Sequence, residues 1–305
     1  MPADISVSLC GIRMRNPFIL ASGILGVTKD SLSNVARNGA GAVTMKSVSR
    51  EERTGHKPPI ILTEGDVMLN AVGYSNPGLE EARREFSGLS DVGVPVIASI
   101  IGKDAEEFAY MAKNFLHGGF SAVELPLSCP HTPGYGMLAG QGTPEATAAI
   151  TAAVRKATKL PVIVKLSPSI QCIGDVAKAA EKAGAHAINM GNTAGPGMAI
   201  DARAARPILS FGFGGLSGPA LKPLALRCVY DVYEAVKIPI IGTGGVSTGE
   251  DAAEMIMAGA SAVGMGSAVH YRGIEAFRLA ASELSSFMKE EGYSSIKEMV
   301  GLAHG

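Results

Sequence analysis

A (β/α)8 barrel is the fold this sequence predicts, and three observations carry it. Eight short apolar runs rich in β-branched residues recur along the chain, at 17–22, 42–47, 96–101, 122–128, 162–167, 187–192, 239–244 and 262–267. Between them lie amphipathic segments with apolar residues three and four apart, the alternation that builds βα units around a parallel sheet. No composition break or linker interrupts the eight units, so residues 1–305 read as one domain, a size that TIM barrels routinely reach. A doubly wound open sheet is the alternative arrangement of the same units.

Taken in order, the chain opens on two runs, 5–10 and 12–14, that read as a short hairpin capping the start of the barrel. Helices are expected at 104–116, 143–158, 174–183, 223–236 and 248–258. Asn38-Gly-Ala-Gly41, Gly118-Gly-Phe-Ser121, Ala183-Gly-Ala-His186 and Ala258-Gly-Ala-Ser261 put glycine between a helix and the next strand, as a left-handed cap requires. Pro95, Pro161 and Pro239 stand at strand starts, where a missing N–H is tolerated. Pro144 and Pro219 fall just inside helix starts, behind Thr143 and Gly218. Three stretches break the pattern: 50–94 after the second strand, a Gly- and Pro-rich loop after the fourth, and 193–237 after the sixth. These insertions are expected to fold over the C-terminal face of the barrel.

A formal net charge of −1 offers no electrostatic basis for binding nucleic acid or an anionic membrane surface. The opening Met-Pro-Ala-Asp-Ile-Ser lacks the basic-then-apolar layout of a signal peptide, and no apolar run reaches the roughly 18 residues of a membrane helix. A soluble cytoplasmic protein is expected. Cys10, Cys129, Cys172 and Cys228 form no CxxC or Cys/His cluster, so no internal zinc or iron–sulfur centre is expected. His56, His117, His186, His270 and His304 lack metal-ligand spacing, and the carboxylates scatter along helices without forming an acid/base pair.

In a parallel barrel, functional groups collect where the strands finish. The strand ends here carry Ala21-Ser-Gly23, Lys46-Ser47, Ser128-Cys129, Lys165-Leu-Ser167, Asn192-Thr193, Gly242-Thr-Gly-Gly245 and Gly266-Ser267. A lysine pointing into the mouth must meet an anion, a carbonyl or an electron-rich ring; one pointing outward snorkels to solvent. Two lysines at equivalent positions, Lys46 and Lys165, favour the first reading. The glycine-rich ends of the seventh and eighth strands match a phosphate site built from backbone N–H groups, and Gly214-Gly-Leu-Ser-Gly218 is a third glycine turn opening a helix. Cys129, at a strand tip beneath a Gly- and Pro-rich loop, has the placement of a nucleophile or proton acceptor; the other cysteines read as structural.

Leu20-Ala-Ser-Gly23, Met45-Lys-Ser47, Leu69-Asn-Ala-Val-Gly-Tyr-Ser-Asn-Pro-Gly78, Leu127-Ser-Cys-Pro130, Val164-Lys-Leu-Ser-Pro168, Asn192-Thr-Ala-Gly-Pro-Gly-Met198, Gly214-Gly-Leu-Ser-Gly-Pro219 and Ile241-Gly-Thr-Gly-Gly245 occur in order from the first strand to the last. Together they resemble the dihydroorotate dehydrogenases. More narrowly they resemble the class 1 enzymes, and among those the NAD-linked catalytic subunit. The resemblance implies an FMN enzyme oxidising dihydroorotate to orotate in pyrimidine synthesis. It implies Cys129 as the base that takes the C5 proton while a hydride passes from C6 to flavin N5. Lys165 would stabilise negative charge at the flavin ring edge, and Lys46 would lie between flavin and substrate. Ala21, Ser22, Gly23, Ser47, Gly218, Gly244, Gly245, Gly266 and Ser267 would hold the flavin and its phosphate. Asn70 with Ala71, Val72, Gly73 and Tyr74, together with His131, Asn192 and Thr193, would face the pyrimidine.

The chain carries no second nucleotide motif and no cluster ligands. NAD as acceptor therefore implies a partner subunit with FAD and an iron–sulfur cluster, in a homo-oligomer or heterotetramer. A class 1 enzyme that reduces fumarate directly would need no such partner. One departure stands out. The family usually reads Asn-x-Ser-Cys-Pro-Asn through the cysteine loop, and here those asparagines are Pro126 and His131. Proline offers a flat pyrimidine no donor and removes a ladder N–H from the fourth strand. That keeps open a related flavin barrel acting on another dihydropyrimidine. A flavin-binding assembly subunit without turnover is disfavoured by the joint presence of Cys129, Lys46 and Lys165.

Overall fold

The computed structural model describes residues 3–116, 118–127 and 140–305. The chain begins with β1 (Val7–Leu9) and β2 (Ile12–Met14), antiparallel, with Leu9 opposite Ile12. Cys10 and Gly11 make the two-residue turn with φ of 52° and 80°, the positive pair that matches the twist of a tight hairpin. The Cys10 thiol donates to the His186 carbonyl at 3.2 Å, and burial pushes it up to about 11, the behaviour of a structural cysteine.

The βα units follow: β3 (Phe18–Leu20), α1 (Lys29–Arg37), β4 (Ala42–Thr44), then an excursion with β5 (Ile61–Glu64), β6 (Val67–Asn70) and α2 (Gly78–Glu85). Next come β7 (Val96–Ser99), α3 (Ala105–Phe115), β8 (Ala122–Pro126), α4 (Pro144–Ala157), β9 (Val162–Leu166), α5 (Ile173–Lys182) and β10 (Ala187–Met190). A second excursion holds β11 (Ala194–Gly197), β12 (Ile200–Asp201), β13 (Arg206–Pro207) and β14 (Gly214–Ser217). The chain ends with α6 (Lys222–Ala235), β15 (Ile240–Thr243), α7 (Gly249–Met257), β16 (Ala262–Met265), α8 (Ala268–Arg272) and α9 (Ala276–Glu291).

The eight expected strands are β3, β4, β7, β8, β9, β10, β15 and β16, and they close into a parallel barrel in that order. The doubly wound alternative is thereby excluded. The ladders stop one to three residues short of the apolar runs read from sequence, because the run ends peel away to line the mouth. Thr143 caps α4 by accepting the Ala146 N–H, and Thr248 with Asp251 forms a capping box on α7. Gly184 and Gly259 leave their helices at φ of 97° and 118°; a Cβ on Gly259 would lie 2.3 Å from the Tyr233 ring. Helices α1, α2, α9 and the single-turn α8 were not foreseen. The first two are short and rich in charge, and α9 lies beyond the last strand despite a clear spacing of Phe277, Ala280, Leu284 and Met288.

Alternation along the strands sorts the interior into layers. At the bottom, Ile19, Ala42, Ile97, Ala122, Ile163, Ala187, Ile241 and Ala262 pack together, plugged from below by Leu9 and Met14 of the hairpin. Two residues further along come Thr44, Ser99, Glu124, Lys165, Asn189 and Thr243, all buried and all polar. Two further still, the chain reaches the open mouth.

Over that mouth the two excursions join in one antiparallel sheet, β11-β14-β6-β5, with Leu69, Ala71 and Leu209 in its core. For the excursions after β4 and after β10 the expectation that they cover the C-terminal face is met, and pairing of β6 with β14 holds them together; most of the loop after β8 lies outside the described residues.

His186 couples this scaffold to pH. Its Nδ1 accepts the Val162 N–H at 2.9 Å as β9 begins, and burial, then the positive charge of Arg155, hold the imidazole below its ordinary value. The folded value lies below the unfolded one, so this contribution is complete above about pH 6.5 and is lost as pH falls through the folded value. Urea unfolding midpoints are expected to drop below pH 6.5. In His186→Phe that dependence should be shallower, and stability at pH 7.5 should be lower by about 1–3 kcal/mol because Val162 loses its acceptor.

Candidate active site

A cleft of about 1150 Å³, part of it open to solvent, lies between the barrel mouth and the antiparallel sheet. From the barrel come Ala21, Ser22 and Gly23 after β3, and Lys46 and Ser47 after β4. Lys165 on β9 and Asn192 and Thr193 after β10 face the same space. Gly244 and Gly245 after β15, and Gly266 and Ser267 after β16, complete the far wall. The sheet adds Ile61, Met68, Asn70 and Ser217, and the segment after β6 adds Val72, Gly73 and Tyr74.

Most residues singled out from the sequence thus meet in one cleft. Two do not line it. Ala71 turns into the core of the covering sheet, and Gly218 lies behind Ser217, where its φ is 86° and a Cβ would lie 2.5 Å from the Asp66 carbonyl. Cys129 and His131 lie outside the described residues.

Both lysines are inside. Lys46 is 9% exposed and Lys165 3%, so neither snorkels to solvent. Lys165 Nζ donates to Ser22 Oγ at 3.1 Å and lies 3.6 Å from Glu124 Oε1. Glu124 accepts from Ser22 Oγ at 2.8 Å and from Asn189 Nδ2 at 2.6 Å, and Thr243 Oγ1 donates to Asn189 Oδ1 at 2.8 Å. This buried network was missed in the sequence because only strand tips were weighed there and carboxylates were set aside. The available signal was a glutamate inside an apolar strand, two residues before the tip and in step with Thr44, Ser99, Asn189 and Thr243.

Asn70 is held by donating to Ser217 Oγ at 2.9 Å and to the Gly215 carbonyl at 3.3 Å. Tyr74 sits at φ 56°, uncommon for a residue with a Cβ, and its hydroxyl donates to the Pro126 carbonyl at 3.4 Å. Pro126 is the last residue of β8 and lines the cleft. Val123 and Leu127 donate toward β9, so the N–H that proline lacks would face β7, and the ladder to β9 continues past it.

The glycine ends form a cradle. The backbone N–H groups of Gly245, Val246, Gly266 and Ser267 donate to no other described residue. A Cβ on Gly244 would lie 2.6 Å from that of Ala225, and one on Gly245 (φ 74°) 2.6 Å from the Lys222 nitrogen. Behind the turn, Lys222 binds Asp251 at 2.7 Å and Glu254 at 2.9 Å. Burial alone would lower the Lys222 ammonium, but these bonds more than offset it and raise it. Asp251, which burial alone would raise, is held low by Lys222 and by the N–H groups of Ser247 and Thr248.

Across the cleft, Thr193 Oγ1 is buried without a hydrogen-bond partner. A mouth with N–H donors at one end, an unsatisfied hydroxyl and two buried lysines suits a flat ligand that carries a phosphate and gathers negative charge on its ring. A flavin mononucleotide has that chemistry, and the residues present fit it.

The dihydroorotate dehydrogenase family model matches residues 4–288. The chain is 46% identical over 301 residues to the catalytic subunit of dihydroorotate dehydrogenase B (NAD(+)) from Methanothermobacter thermautotrophicus, covering 98% of each chain. It is 47% identical over 299 residues to the protein of the same name from Pyrococcus abyssi, covering 98% of this chain and 99% of the other. A solved DHODH from Eimeria tenella, in complex with ferulenol, shares the fold at a TM-score of 0.83 and 23% identity, over 99% of this chain and 89% of that one.

Proposed function

The chain belongs to the dihydroorotate dehydrogenase family, and from that premise we propose that it oxidises dihydroorotate to orotate in pyrimidine biosynthesis, using a flavin and a partner subunit. The single observation that carries this reading is the cleft itself, where two buried lysines and a glycine cradle converge from four strands of one barrel. We further propose FMN as the flavin, with residues 1–305 acting as one catalytic domain.

Gly244, Gly245, Gly266 and Ser267 would hold the phosphate, through the N–H groups of the last three and the turn at Gly244 and Gly245 that Lys222 braces. Ala21, Ser22, Gly23 and Ser47 support the ring from the barrel side. When bound, the flavin supplies the acceptor for the hydride leaving substrate C6. Lys165 presents its ammonium where negative charge accumulates, and Lys46 stands between ring and substrate. Asn70, fixed by Ser217, and Asn192 orient the pyrimidine, with Val72, Gly73, Tyr74, Thr193 and His131 around it. Cys129 takes the C5 proton. Pro126 contributes shape rather than a hydrogen bond, and its carbonyl already receives the Tyr74 hydroxyl. Electrons pass to NAD through a partner subunit bearing FAD and an iron–sulfur cluster, in a heterotetramer in the cytoplasm. No described helix is long and apolar enough to cross a membrane.

Anaerobic addition of dihydroorotate to the FMN-loaded chain is expected to bleach the flavin band. A flavin that stays oxidised with dihydroorotate but bleaches with dihydrouracil would move the substrate assignment, and a chain that takes up no FMN would overturn the flavin reading. Cys129→Ala should keep its FMN affinity while bleaching roughly 10²–10⁴-fold more slowly in stopped-flow, the usual contribution of a placed base. Gly245→Ala strains the turn and intrudes on the Lys222 backbone. FMN affinity, read by fluorescence quenching, should fall by about tenfold or more; unchanged affinity would remove this turn from the phosphate site.

A further inference from the structure

Glu124 is a buried charge that the reaction as described leaves unused. Its side chain is 2% exposed and lies one layer below the cleft, against a lysine that is 3% exposed. Hydrogen-bond direction around it is fixed. Thr243 donates to Asn189 Oδ1, which turns the Asn189 Nδ2 donor toward Glu124 Oε2. Ser22 Oγ accepts from Lys165, so its single proton goes to Glu124 Oε1. Both carboxylate oxygens are thus engaged, one by a hydroxyl and one by an amide N–H.

We propose that Glu124 is a positioning residue that keeps Lys165 charged and aimed into the cleft, so that the flavin meets an ammonium whether oxidised or reduced. The inference rests on the flavin reading of the cleft. An ammonium buried this deeply keeps its proton only beside a counter-charge, since desolvation favours the neutral amine. Glu124, from the adjacent strand, is the only carboxylate among the described residues that pairs with Lys165. Lys46 is the only other charged side chain among the described cleft residues, and it carries the same sign. Tyr74 is the remaining titratable group there. Ser22 takes one of the three lysine donors and Glu124 draws a second toward the floor, which leaves the third for the cleft.

The test is the midpoint potential of the bound flavin between pH 6 and pH 9, by equilibration with redox dyes. In the wild type Lys165 stays charged and adds nothing to the pH dependence. In Glu124→Gln the lysine should be neutral beside oxidised flavin and take up one proton as the flavin is reduced. The two-electron equilibrium then loses an additional factor of about ten per pH unit, about 30 mV. Adding Lys165→Met, or Lys165→Arg with its permanent charge, to Glu124→Gln should abolish that additional slope. Glu124→Met serves the same comparison if the glutamine variant does not fold. A wild-type slope in a flavin-loaded Glu124 variant, or an additional slope that survives replacement of Lys165, overturns the inference and leaves the proposed function standing. A chain that takes up no flavin overturns both.

Discussion

A glutamate and a lysine 3.6 Å apart inside a parallel barrel, each almost wholly screened from water, set the terms for everything around them. Two charges at that depth cost several kcal/mol each in lost hydration, and only close pairing with full hydrogen bonding offsets the cost. The barrel meets this with a largely polar layer, six of its eight strand positions, where Ser22 and Asn189 donate to the carboxylate and Thr243 donates to Asn189. The layer below it is apolar and plugged by Leu9 and Met14 of the hairpin, which keeps the pair in a low-dielectric surround. The hairpin thus contributes to the chemistry at the far end of the barrel without touching it.

Above the charged layer, side chains give way to backbone. Gly23, Gly191, Gly245 and Gly266 stand where a third interior layer would otherwise fill the barrel, and their lack of side chains is what creates the cleft. Pro126 occupies the same level on β8. The turn after β15 is backed by Lys222, itself held by two carboxylates on α7. A ligand in the cleft therefore meets a rigid backbone at one end and a buried cation at the other.

The barrel was legible in the sequence because every βα unit repeats the same local signals: an apolar run, a glycine or proline at the turn, and a helical period. The strand tips were legible for the same reason, and Lys46 and Lys165 could be placed in the mouth from their positions in those runs. What was not legible depends on contacts across the barrel. Glu124 acquires its meaning from Ser22, Lys165 and Asn189, which lie 102, 41 and 65 residues away and share no local pattern with it. The covering sheet was equally hidden, since β6 and β14 each read as part of an irregular excursion until they are paired. Ala71 and Gly218 were assigned from their neighbours in motifs, and strand alternation turns each of them away from the cleft.

The pairing of β6 with β14 has a consequence for assembly. Asn70 and Gly215 are 145 residues apart in sequence, whereas each barrel strand meets its neighbour through a single βα crossover, apart from the seam between β3 and β16. Contacts of such long separation carry a larger chain-closure penalty than the local ones. The roof of the cleft is therefore less secured by the chain itself than the barrel pairs joined by a single crossover. A molecule lodged beneath it, touching Asn70 from one excursion and Thr193 from the other, supplies a link that the backbone lacks. Occupancy of the cleft and integrity of its roof would then be one equilibrium, and a ligand bound there would serve as a structural strut as well as a reactant.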